Sequence, residues 1–135
     1  MPIKQEVQAD GRLMYWEIAD PWSMDDLIPK IDAVNQFINE SSEPIYSFVD
    51  LRQAKELPRG IASIHKIRHW NWSPQAGAEV ILVISSAAVK AMIQLLFRLA
   101  RSQRAVIFDD YAAAWDYTQQ LLQQGSAQQE NKAGS

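Results

Sequence analysis

The sequence predicts a single α/β domain on a mostly parallel sheet, in the order ββαβαβαβα. Strand-length apolar runs alternate with helical repeats across residues 3–124. Such repeated βα units imply parallel strands joined by right-handed crossovers. Residues 80–84, VILVI, are continuously apolar and mainly β-branched, the composition of a strand covered on both faces. Near the start, Asp10-Gly11 is a favoured two-residue hairpin turn, because both central positions must tolerate positive φ.

Taken in order, the hairpin joins a half-polar strand (Ile3, Gln5, Val7) to a stronger one over residues 12–18. There Met14, Trp16 and Ile18 alternate with Leu13, Tyr15 and Glu17. Ser23 is placed to cap a first helix, with Asp25 and Asp26 suited to its N-terminus. Leu27, Ile31, Val34 and Ile38 repeat at helical spacing beside Phe37. Pro29 removes one hydrogen bond, so either the helix kinks or its main body starts near Pro29. Residues 41–44 end it before a buried strand from Ile45 to Asp50. After a charged loop, Gly60 opens a short helix through Ile61, Ile64 and Ile67, which closes at a turn-rich segment from Trp70 to Gly77. Ser85 or Ser86 caps a third helix whose broad face carries Val89, Met92, Ile93, Leu96 and Ala100. Residues 105–108, AVIF, form the last strand. Asp109 or Asp110 caps a final helix with Tyr111, Trp115, Thr118 and Leu122 on one side. Gly125 is a natural stop, which gives a domain over 1–124 and a polar, disordered tail over 125–135.

At 135 residues, 47% of them hydrophobic, the chain is long enough to bury a core and too apolar for disorder. No apolar run approaches the roughly 20 residues of a membrane span, and the first residues lack a signal-peptide core. There is no Cys, so disulfide and thiol chemistry are excluded. A cytoplasmic protein is expected. The net charge of -3 hides an asymmetry: residues 51–108 hold nine Lys or Arg against two acids, Glu56 and Glu79. A basic middle inside an acidic chain is either a field aimed at an anionic partner or a set of solvated helix faces.

Val49-Asp50-Leu51, followed by the Gly60-Ile61 pair opening a helix, resembles the sulfate-transporter and anti-sigma-factor-antagonist (STAS) domains. The Phe108-Asp109 step before an Ala-rich helix is similar. The resemblance implies a regulatory, non-catalytic domain that binds a protein partner. In that family the loop before the helix carries a phosphorylated Ser; here Leu57-Pro58-Arg59-Gly60 stands in its place, and neither Pro58 nor Arg59 accepts a phosphoryl group.

His65 and His69 have a metal-compatible spacing, but Lys66, Ile67 and Arg68 lie between them and no third ligand is indicated, so no metal or other cofactor is expected. No nucleophile elbow, phosphate loop or dinucleotide turn is present, and an enzyme is not expected. Trp70 and Trp72 form an aromatic loop that suits either a ligand pocket or a lid on the core edge. On the third helix Lys90, Gln94, Arg98 and Arg101 form a basic stripe, with Leu95 and Leu99 beside it. That extra apolar area points to a homodimer. The candidate basic patch is thus Lys55, Arg59, Lys66, Arg68, Lys90, Arg98 and Arg101, facing an acidic protein or an anionic lipid. Nucleic acid is not expected as a partner of a chain with pI near 5.3. The other class of function is a small-ligand or lipid-binding protein with its pocket near Trp70 and Trp72.

Overall fold

The computed structural model describes residues 3–40, 45–60, 76–100 and 104–133. Five strands form one mixed sheet: β1 (Ile3–Gln8), β2 (Leu13–Ala19), β3 (Ile45–Gln53), β4 (Ala76–Ile84) and β5 (Arg104–Phe108). They lie side by side in chain order. β1 runs antiparallel to β2, and the other three pairings are parallel. Three helices complete the described fold: α1 (Met24–Asn39), α2 (Ala87–Ala100) and α3 (Tyr111–Ala133). The expected helix through Ile61, Ile64 and Ile67 lies outside the described residues.

Period-two alternation divides each strand between two cores. Trp16 and Ile18 of β2, Val49 and Leu51 of β3, and Val80, Leu82 and Ile84 of β4 face α1 and α2. Leu13, Phe48, Ile81 and Val83 face α3, where they meet Ala114 and Leu122. All five residues of 80–84 are buried, so β4 is covered on both faces as its composition requires.

The caps resolve the open choices. Ser23 Oγ accepts from the Asp26 N–H at 3.1 Å, Ser86 Oγ from Val89 at 3.3 Å, and Asp110 Oδ2 from Ala113 at 3.2 Å. α1 begins at Met24 and runs through Pro29, which sits in its second turn and forfeits only the bond to the Asp25 carbonyl. Three expectations need correction. The hairpin uses four residues, 9–12, because Gln8 pairs with Leu13, and Ala9 and Asp10 both take positive φ before Gly11 at φ 86°. β3 continues past Asp50 to Gln53. α3 passes through Gly125 to Ala133, since a helical Gly costs only about 1 kcal/mol and removes no backbone bond.

Candidate functional site

The carboxyl ends of β2 and β3 support a clasp between two loops. β2 runs straight into Asp20-Pro21, whose peptide bond is cis. The Asp20 carboxylate accepts the Lys55 N–H at 2.8 Å and the Glu56 N–H at 3.3 Å, and the Asp20 N–H donates to Gln53 at 3.1 Å. The Trp22 indole N–H donates to the Glu56 carbonyl at 2.9 Å. Arg59 N–H then reaches the Trp22 carbonyl at 2.9 Å, and Met24 N–H reaches Arg59 at 2.8 Å. Six hydrogen bonds therefore tie residues 53–59 to residues 20–24. Below them Trp22, Met24, Ala54 and Pro58 are buried. Gly60 leaves the clasp at φ 73°, a conformation that favours glycine.

Above the clasp, Lys55, Glu56 and Arg59 are exposed, and Leu57 keeps 46% of its surface open. Lys55 and Arg59 are held by their backbones, so both cationic side chains stay available. The result is a fixed loop tip offering one aliphatic group, the two cations of Lys55 and Arg59, and the Glu56 carboxylate.

A second polar cluster lies one strand position away. Asp50, 3% exposed, accepts three bonds from Arg52: from the backbone N–H at 3.0 Å, Nε at 3.0 Å and Nη2 at 2.9 Å. That bonding raises the Arg52 pKa above its ordinary value. The guanidinium lies 4.2 Å from the centre of the Tyr111 ring, whose hydroxyl shares a 2.8 Å hydrogen bond with Tyr15. Burial, then the Tyr111 bond, then the nearby carboxylates of Asp50 and Glu17 push the Tyr15 hydroxyl well above the usual tyrosine range. Phe48 stacks on Tyr15 with centroids 5.3 Å apart, and Trp115 meets both rings edge-on. The polar groups here satisfy one another, and the cluster holds α3 on the sheet.

Of the basic patch, the structure brings Lys55 and Arg59 onto the same loop tip. Lys90, Gln94 and Arg98 are exposed on α2. Lys66, Arg68, Arg101, Trp70, Trp72 and the pair His65 and His69 lie outside the described residues, as does the Leu99 side chain. Among the described residues no cluster of His, Cys, Asp or Glu is placed to hold a metal, and no helix is long and apolar enough to cross a membrane. The strand order never reverses, so these strands form no switch-point crevice of the kind nucleotide-binding α/β sheets use.

Comparisons with protein-family models, with curated proteins and with solved structures find no match to this chain. Sequence reasoning missed Asp20, Trp22 and the Tyr15–Tyr111 pair. An Asp before Pro at a strand end is a legible turn signal. Its partners 35 and 36 residues away are not, because they depend on how β2 and β3 align.

Proposed function

We propose that this chain is a non-catalytic interaction module, resembling anti-sigma-factor antagonists, that docks an acidic protein partner through the loop of residues 54–60. The single observation that carries this reading is the clasp: six hydrogen bonds hold the loop, yet the side chains of Lys55, Leu57 and Arg59 are exposed. A loop already fixed in its bound shape loses little conformational freedom on association. Leu57 supplies an apolar anchor, and the two cations supply attraction to a negative surface. No residue from 52 to 60 carries a hydroxyl, so recognition by this loop proceeds without phosphate on it. The exposed α2 surface, where Leu95 is 45% open beside Lys90 and Arg98, supports a second contact that forms a homodimer.

The test is affinity capture from the native cell with wild-type protein and with Leu57→Glu/Arg59→Glu, each checked for folding by circular dichroism. A partner enriched in acidic residues should be retained by the wild type, lost by the folded variant and released as salt rises. A partner held equally by both proteins would move the docking surface elsewhere.

A further inference from the structure

The sheet ends at β1, whose outer edge has no partner strand among the described residues. The connection through residues 61–75 joins β3 to β4, so it belongs to the middle of the sheet and not to this edge. An open edge presents a row of backbone N–H and C=O groups to any strand that can lie beside it. The side chains of β1 decide which strand fits.

Alternation puts Lys4 and Glu6 on the α3 face, where both are exposed and stand opposite Glu17 and Tyr15 of β2. Glu6 accepts a bond from Gln8 at 3.3 Å within its own strand. Val7, on the other face, keeps 48% of its surface open. The exposed surface continues onto α1. Lys30 lines the same groove as Ile3, Gln5 and Glu6, and Phe37, about two helical turns further on, is also exposed.

A second copy of β1 fits this edge in one register. Residues directly opposite in an antiparallel pair share a face of the sheet. A two-fold axis between identical strands therefore passes through one residue position and not between two. Only the registers centred on Gln5 and on Glu6 pair five of the six residues of β1. Centring on Glu6 sets that carboxylate against its own copy, and like charges directly opposite are destabilising. Centring on Gln5 sets Lys4 against the second copy's Glu6, and Glu6 against the second copy's Lys4. On the other face Ile3 then meets the second copy's Val7, so the open valine is covered in both copies.

We propose that β1 pairs antiparallel with β1 of a second copy, centred on Gln5, so that one sheet runs through both molecules. The contact goes beyond the docking loop and the α2 face, since α2 packs on β4 and β5 at the other side of the sheet. Six residues with exposed charges make it the weaker self-contact, and it joins α2 dimers only as concentration rises.

The test is a charge exchange read by sedimentation equilibrium of the full chain, up to its solubility limit. Lys4→Glu leaves two acids on the edge and Glu6→Lys two bases, so each variant should lose this self-association about tenfold or more at low salt. An equimolar mixture of the two variants should regain it, because every opposite pair is again acid against base. Mixing repairs no defect of folding, so the recovery reads the pairing alone. Single variants that associate as the wild type does, or a mixture that associates no better than its components, would overturn the contact. Hydrogen exchange of the wild type gives a reading without substitution. Alternate β1 amides, those on the outer side, should exchange more slowly as concentration rises, and unchanged rates would equally overturn the contact. Leu95→Glu leaves Lys4 and Glu6 in place, so failure of the α2 contact and failure of the edge contact are read separately.

Discussion

Tyr15 belongs to a strand, yet its hydroxyl ends on a helix. Its bond to Tyr111 and the burial around it favour the neutral phenol in the folded chain. The folded pKa is raised above the unfolded value of about 10, so the native state binds more protons than the unfolded state once pH exceeds that value. This stabilisation is complete below pH ~10 and is lost as pH rises further. Tyr15→Phe should cost about 1 kcal/mol at neutral pH through the lost hydrogen bond, and should remove this component of alkaline unfolding. Urea midpoints measured at neutral and at alkaline pH check both. Arg52→Ala leaves the buried Asp50 carboxylate with a backbone donor in place of three bonds; because the guanidinium is half exposed, a loss of about 1–2 kcal/mol is expected in urea unfolding. Arg52→Lys should recover little, because an ammonium cannot reproduce the planar fork. This pair was partly legible. Asp50 is legible as a buried strand residue, whereas Arg52 joins it on the same face only because β3 runs past the expected end to Gln53. Counting Arg52 simply as a base of the charged middle overlooked that its charge is committed to Asp50.

The elements were read most reliably where a pattern had only one physical solution. VILVI allows no solvent-facing side, and its five residues are all buried. Ile81→Ala and Leu82→Ala remove methylenes from opposite cores and should each cost about 2–5 kcal/mol, measured by denaturant unfolding. Either variant within about 0.5 kcal/mol of wild type would mean that its face is open. Boundaries were less legible, for reasons that differ between sites. Ser85 and Ser86 offer the same hydroxyl, and only the turn leading into α2 selects Ser86. Gly125 is equally compatible with a stop and with passage, since glycine satisfies either backbone. Gly125→Ala separates them: inside a continuous helix it should stabilise by up to about 1 kcal/mol and raise helical circular dichroism, whereas a left-handed stop would be destabilised. The clasp left still less trace, because it joins loops whose proximity follows from the β2–β3 register and not from any local spacing.

At the scale of the molecule, the proposed contacts separate into the loop tip at the carboxyl ends of β2 and β3 and the outer surface of α2. Leu95→Glu should leave folding stability within about 0.5 kcal/mol, since that side chain is already 45% open, and should convert a dimer into a folded monomer in sedimentation experiments. A wild-type chain that is already monomeric at high concentration would eliminate the α2 contact while leaving the loop reading intact. The layered α/β plan was readable from alternation alone, whereas the α3 layer's aromatic seam needed the three-dimensional meeting of Tyr15, Phe48, Tyr111 and Trp115. Strand order has one more consequence. Because each strand lies next to its predecessor in the chain, the sheet can grow by accretion at a single edge as the polypeptide leaves the ribosome. Every newly released strand finds its neighbour already in place, and none must wait for a later one to be inserted between. α3, released after β5, then closes the back of a sheet that is already assembled.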